Sequence, residues 1–507
     1  MRRLLSPVLA AVTALSLPLT ALAEELVIVH TNDTHNHLTT YKDRDGSLVG
    51  GTSHRASFVS NEKKSHANVL VLDAGDIFQG TPLYTFFKGE VDIKAMSLVG
   101  YDAAAMGNHD LDDGWDNLKR QLKFAQFPML CANVTTSAGA PVLLPAMTFV
   151  RGSTRIGVVS LLGDGAWQNV AVKSRAGLKQ EAIIPAAKRW VATLRDQVDL
   201  MVLLTHNGRD EDVELAKAVP GVDVIVGGHS HTPLKEPIFV KNGNTNGVGG
   251  TVILQAGCYG KYAGRLTLDV EKGRLNSYKG ELIAMDGNVP VASNAIDGLI
   301  APYAAQLDKQ MNEVIGACPT GLATGGKYGG ETPLGNWLAD MLREEGKADV
   351  GIINSGGIRA ELPAGPVTVG KIFEILPFEN FLSTVDLPGQ NLIDLAAAVA
   401  DRLHNHKPGT MQFSGLSFKM KAGKLSGPVL IGGKPVDPKH KYRVSVVDYI
   451  LGGGEGPFFE ARTNETKSDA LLRDLMIRRV KAQQTVGIPA SGRIVHDEPA
   501  AVPAGQR

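Results

Sequence analysis

Gly107-Asn108-His109-Asp110-Leu111-Asp112 directly follows an apolar run, Ala103-Ala104-Ala105-Met106. An amide, an imidazole and two carboxylates therefore stand just past a strand-length hydrophobic segment. That is the pattern of a buried strand opening into a polar loop, and ligands of α/β folds bind at such carboxyl ends. Alone, the stretch would also suit a polar turn, because Gly-Asn is common turn chemistry. Four other segments repeat the layout. Leu26-Val27-Ile28-Val29-His30 runs into Thr31-Asn32-Asp33-Thr34-His35, and Val69-Leu70-Val71-Leu72 into Asp73-Ala74-Gly75-Asp76. Leu200-Met201-Val202-Leu203-Leu204 runs into Thr205-His206-Asn207, and Val222-Asp223-Val224-Ile225-Val226 into Gly227-Gly228-His229-Ser230-His231. Five strands that each deliver Asp, Asn or His at their end point to one site.

The 507 residues suffice for two or three domains. Lys and Arg together number 52, equal to Asp plus Glu, so nothing in the charge favours a nucleic-acid polymer or a membrane surface as partner. The first residues read as a signal peptide: Arg2-Arg3, an apolar stretch to Leu22, and Ala21-Leu22-Ala23 as a cleavage site. No cysteine stands directly after that site to carry a lipid, and no second stretch is apolar enough to span a bilayer. The expectation is a periplasmic or secreted protein without stable membrane association, a monomer or weak dimer. Cys131, Cys258 and Cys318 are too few and too far apart for a disulfide framework; they leave room for one bridge, or read as buried free thiols.

From 25 to about 286, apolar strand-length runs alternate with amphipathic stretches such as 115–124 and 181–194, which reads as α/β layers. Helical periodicity without strands covers 292–314 and is read as a connecting helix. In the remainder, Thr332 with Pro333 starts a helix over 332–345, 350–353 is a strand, 390–403 a second helix and 442–447 a strand. The expected organisation is a signal peptide at 1–23, a first domain at 24–290, a linker helix at 291–316, a second domain at 317–496 and a frayed tail at 497–507.

Mixed nitrogen and oxygen donors at strand ends, with one carboxylate able to bridge, suit a pair of divalent cations. Such a pair neutralises phosphoryl oxygens and lowers the pKa of a bridging water. Asp33 and His35, two residues apart, can reach one ion, with His231 completing the set. Asn108, His206 and His229 fit the second ion, and Asp76 the bridge. His30 and His37 are read as structural. Zn, Mn, Co and Fe all accept such a donor set.

These segments together resemble the signature of calcineurin-like metallophosphoesterases: Asp33-Thr34-His35, Gly75-Asp76, Gly107-Asn108-His109-Asp110, the strand-end His206 and Gly228-His229-Ser230-His231. The wider wording is similar to the secreted bacterial 5′-nucleotidase and UDP-sugar hydrolase family. It includes Gln255-Ala256-Gly257-Cys258-Tyr259-Gly260-Lys261, Asn354-Ser355-Gly356-Gly357-Ile358-Arg359, Leu376-Pro377-Phe378 and the glycine-rich loop 452–456. The resemblance covers nearly all of the chain after residue 23. It implies an α/β chain: a four-layer metallophosphoesterase β-sandwich flanked by helices, a linker helix and a smaller α/β substrate-binding domain. His109 and Asp112 are implied as a catalytic dyad, with the imidazole stabilising transition-state charge and protonating the leaving oxygen. Phe378 and Tyr449 would sandwich a nucleobase. Asn354, Gly356, Gly357 and Arg359 would hold the nucleoside or phosphate. Glu455 stands where the family more often has Asp, and Lys327 occupies a loop that usually carries Arg, which a lysine cannot replace in a bidentate contact.

The implied activity is hydrolysis of nucleoside 5′-phosphates to nucleoside and phosphate, by in-line attack of hydroxide on phosphorus. Related hydrolases act on 2′,3′-cyclic nucleotides, UDP-sugars or a sulfur ester, and the paired aromatics speak for a nucleobase against the last of these. From another class, the alternative is a non-catalytic nucleoside-binding protein. Such a protein has no need to keep seven ligands and a dyad, and this chain has all nine.

Overall fold

The computed structural model describes residues 24–497 apart from 44–45, 171–173, 290, 292–294, 379, 408 and 454–455. The expected signal peptide, the tail from 498 onward and Glu455 lie outside the described residues. The chain divides into two compact units, one ending at Ala305 and the other beginning at Gln306.

The first unit has four layers. One six-stranded sheet runs in the order Arg274–Ala284, Tyr262–Glu271, Glu24–Thr31, Val69–Asp73, Ala103–Ala105, Met129–Leu130. The second runs Ile238–Lys241, Gly250–Leu254, Val224–Val226, Leu200–His206, Thr154–Leu162, Ala146–Arg151. Leu26, Ile28, Leu70 and Leu72 of the first sheet share one core with Val158, Val202, Leu204 and Val226 of the second. The far face of the second sheet, with Met201, Leu203 and Ile225, packs on the helices Ile183–Leu194 and Arg209–Ala218. Strands buried on both faces carry unbroken apolar runs, which is why these segments read as continuous hydrophobics. Each fully buried Leu or Ile contributes about 1.5–3 kcal/mol, so slipping the register of one strand is costly.

Parallel pairing fixes where the polar loops emerge. Val27 pairs with Val69 and Leu72 with Ala103, both in parallel; in the other sheet Val202 pairs in parallel with Val224. Within each sheet the carboxyl ends of these strands, with their Asp, Asn and His residues, therefore lie on one edge.

The second unit is built on a five-stranded sheet in the order Met411–Ser414, Val350–Asn354, Lys441–Val447, Phe381–Pro388, Thr463–Leu471. The expected helix start at Thr332 is present: Thr332 Oγ1 accepts from the Gly335 amide and Pro333 occupies the first turn of Pro333–Glu345. The connecting helix spans Ala295–Met311 and stops short of the expected end at 314–316. Val314–Cys318 forms a strand antiparallel to Gly365–Thr368. Val314 pairs with Thr368 and Gly316 with Val367, with Ile315 at an irregularity between them, so the β-branched Val314 joins that ladder rather than a further helical turn.

The three cysteines are free; Cys131 and Cys318 are buried, whereas Cys258 is half-buried, unlike the buried thiols of the sequence reading. Among the described residues no helix is long and apolar enough to cross a membrane.

Candidate functional site

The strand-end loops of the first unit bring seven sequence-expected residues together. Asp33, His35 and His231 form one group and Asp76, His206 and His229 another; within each, the ligand-type atoms all lie within 4.8 Å of one another. Asn108 joins the second group, its Oδ1 3.2 Å from His206 Nε2. Asp76 reaches both groups, with Oδ2 3.1 Å from His206 Nε2 and 3.8 Å from His35 Nε2. Its other oxygen accepts the His109 amide at 2.8 Å, which holds the carboxylate in place.

Neighbouring carbonyls fix the imidazole tautomers. His206 Nδ1–H donates to the Ala74 carbonyl at 2.8 Å and His35 Nδ1–H to the Phe78 carbonyl at 3.2 Å. A carbonyl can only accept, so in the neutral form of each ring the Nε2 lone pair faces the cluster. His35 Nε2 and His231 Nε2 stand 3.1 Å apart, and His231 Nε2 lies 3.3 Å from Asp33 Oδ1. Converging lone pairs and carboxylate oxygens form a donor set that a pair of divalent cations fits, and the two groups imply a dimetal centre.

The backbone is strained here. Asp33, His35, Asp76, His229 and His231 all have positive φ, between 47° and 77°. Left-handed conformations of non-glycine residues cost about 1–3 kcal/mol each and gather where function demands them. Gly107 shows the crowding that accompanies this strain. A Cβ there would lie 2.2 Å from Asp76 Oδ1, so only glycine lets the two loops approach so closely.

Burial and charge set the protonation of these groups. Burial pushes the His35 imidazole down to about 4. Burial works against the Asp76 carboxylate, but His206, His109 and His35 overcome it and hold that carboxyl below the usual range. For His206 burial opposes the charge, while Asp76 outweighs it and keeps the imidazole protonated up to about 9. A cation entering the site must displace such protons.

His109 and Asp112 sit beside this cluster. His109 Nδ1–H donates to Asp112 Oδ2 at 2.9 Å. The rings of His109 and His35 are 5.3 Å apart between centroids. His30 and His37 stay outside both groups. His30 is buried against Gly264, and His37 stacks on Tyr259 with ring centroids 4.4 Å apart.

Several supporting residues went unread in the sequence. Asn32 donates to Asp33 Oδ2 and to the Gly257 carbonyl, both at 2.6 Å. Asp110 accepts the amides of Ile77, Phe78 and Gly107, tying the Asp76 loop to the Asn108 loop. Gln255 accepts the Thr232 amide and donates to the Gly228 carbonyl, bracketing His229 and His231. They stand inside the quoted motifs, but most of their partners are distant in sequence, so no local pattern gives their role.

In the second unit, Val350 pairs in parallel with Val444, and Leu382 antiparallel with Val447. That register puts Asn354, Phe378 and Tyr449 at one edge of the sheet. Phe378 and Tyr449 are each 49% exposed, which is unusual for large aromatics with a core to enter. Arg359 lies over the Phe378 ring at 6.0 Å and donates to the Gly356 carbonyl at 3.3 Å. Gly356 and Gly357 form the short turn Ser355–Gly357 after Asn354. Lys327 donates to the Ile358 carbonyl, and burial together with Arg359 lowers its pKa.

Comparison with known proteins agrees with both halves. The calcineurin-like phosphoesterase family model matches residues 26–233, and the 5′-nucleotidase C-terminal domain model matches 312–464. The chain is 29% identical over 480 residues to a 5′-nucleotidase of Vibrio cholerae, covering 85% of each protein. It is 27% identical over 521 residues to an apyrase of Tabanus yao, covering 92% of this chain and 93% of that one. Among solved structures it resembles the 5′-nucleotidase precursor of Thermus thermophilus, with 30% identity and a TM-score of 0.65 over 94% of this chain and 100% of that one.

Proposed function

We propose, from the fact that this chain belongs to the 5′-nucleotidase family of metallophosphoesterases, that it hydrolyses nucleoside 5′-phosphates to nucleoside and phosphate. The observation that carries the reading is the position of Asp76 Oδ2, within 3.8 Å of an imidazole from each ligand group, next to the His109–Asp112 pair.

Asp33, His35 and His231 would hold one divalent ion and Asn108, His206 and His229 the other, with Asp76 shared. Zn, Mn, Co and Fe all suit these donors. When bound, the pair would neutralise phosphate oxygens and make hydroxide available near neutral pH. The chain's own groups do the rest. His109, held by Asp112 through Nδ1, presents Nε2 to the phosphate, where it offsets developing negative charge and gives a proton to the leaving oxygen. Phe378 and Tyr449 offer flat faces to the base, Arg359 and Lys327 offer positive charge, and Asn354, Gly356 and Gly357 offer polar and backbone groups.

A second reading, cleavage of other phosphoanhydride or phosphodiester nucleotides, is favoured by one observation. Lys327 is spent on the Ile358 carbonyl, so this loop grips its ligand differently from one carrying arginine. Phosphate release from nucleoside mono-, di- and triphosphates, cyclic nucleotides and UDP-sugars, with metal restored after chelation, separates the two. The first requires 5′-monophosphates to have the highest kcat/KM. For residues 1–23 we propose export followed by cleavage after Ala23, which amino-terminal sequencing of the exported protein checks.

A further inference from the structure

One buried carboxylate of the first unit has no part in the mechanism above. Asp212 lies in the first turn of the Arg209–Ala218 helix, where an acidic residue ordinarily faces solvent and answers the helix dipole. Asp210 and Glu211 beside it do so and are exposed. Asp212 turns inward and is fully buried. Its carboxylate accepts Thr205 Oγ1 at 2.9 and 3.1 Å and Asn207 Nδ2 at 3.1 Å, from the residues on either side of His206. The same carboxylate rests on the chain leading to His229: a Cβ on Gly227 would lie 2.2 Å from Asp212 Oδ2. Both side-chain donors are neutral and only partly offset burial, which raises the carboxyl pKa to about 7, a cost that core packing alone does not return.

We propose that Asp212 is a positioning residue for the ion held by His206 and His229. It fixes the backbone on both sides of one imidazole and in front of the other, and it touches none of Asp33, His35 or His231. The Ala74 carbonyl sets the His206 ring, whereas Asp212 sets where that ring is mounted. The inference rests on the two-ion reading of the site.

The test is calorimetric titration of the stripped full-length chain with Mn2+, alongside kcat and KM for a nucleoside 5′-phosphate. The unmodified chain takes up two ions. Asp212→Asn is expected to bind its first ion as tightly as the unmodified chain and its second roughly 10- to 100-fold more weakly, the usual effect of removing a partner behind a ligand. Excess Mn2+ restores its kcat, and KM stays unchanged. Asn207→Ala removes one donor but keeps the carboxyl group; it moves the second affinity the same way by less, and it decides the matter if Asp212→Asn does not fold. Two unaltered affinities, or equal weakening of both ions, in the folded variants overturn the inference. Fewer than two ions in the unmodified chain would instead bring down the two-ion reading, and this inference with it.

Discussion

The strand-end cluster of the first unit and the aromatic edge of the second are built in opposite ways. In the first, Asp33 and His206 are fully buried, five ligand-type residues hold left-handed backbones, and each loop is tied to another by a buried side chain. In the second, Phe378, in the loop before Phe381–Pro388, and Tyr449, in the one-turn helix Asp448–Leu451, stand half in solvent, and neither has a left-handed backbone. Charge must be met by groups already in position, because reorganising them during reaction costs most of their worth. A base needs only a flat apolar face, which tolerates looser placement. On this account the first region sets the rate and the second sets the choice of substrate.

Substitutions that strike the two regions separately should show this contrast, and the largest effect is expected at the shared carboxylate. Asp76→Asn replaces a charge that reaches both ligand groups by a poor acceptor. It should lose both ions and nearly all turnover, and elemental analysis that still finds two tight ions in an active variant would remove Asp76 from that role. His109→Ala comes next. It should retain both ions while turnover drops by roughly two to four orders of magnitude, the usual worth of a positioned acid–base group. If metal content falls along with the rate, His109 is a ligand instead. Tyr449→Ala strikes only the second region. Losing one base–aromatic stack of about 1–3 kcal/mol should raise KM for nucleotides roughly 5- to 150-fold and spare an aryl phosphate. Equal loss on both substrates would mean that Tyr449 has no part in reading the base.

The smallest effect on activity is expected at His30, a histidine of the first unit outside the cluster. Burial lowers its pKa from the usual 6.5 to about 4. The folded state therefore keeps His30 neutral while the unfolded chain takes up the proton. Its stabilising contribution is complete above pH 6.5 and is lost as pH falls toward 4, on the order of 3 kcal/mol across that window. His30→Gln should flatten the fall in melting temperature between pH 6.5 and 4 and leave neutral-pH turnover alone. An unchanged slope would place the acid sensitivity elsewhere.

Much of the first unit was legible because its motif-bearing strands are buried on both faces and, within each sheet, run parallel. Each apolar run could be recognised, and each motif at its end, from Asp33-Thr34-His35 to Gly228-His229-Ser230-His231, marked a loop. The pairing of two sheets into four layers came from resemblance, since alternation along one strand says nothing about which sheet faces it. The supporting side chains were hidden for a related reason. Asn32 bonds a carbonyl 225 residues away, and no local pattern announces such a partner. Nothing in the sequence sets Asp212 apart from Asp210, and only its partners at Thr205 and Asn207 do so. The end of the linker helix at Met311 was missed because 314–318 suits a helix and a strand almost equally, and pairing with Gly365–Thr368 decides between them. At the second unit's edge, Phe378 and Tyr449 could be named from their motifs, but their exposure needed the fold.

The central claim is that one site holds two ions through a shared Asp76 and needs both for nucleotide hydrolysis. Its most direct test strips the full-length chain with a chelator and restores a divalent metal in steps, measuring bound metal and phosphate release from a nucleoside 5′-phosphate in the same samples. The account predicts no turnover in the stripped chain, little with one ion bound, and full activity only as the second ion fills. Full activity with one ion bound, or turnover that survives complete removal of metal, would contradict it.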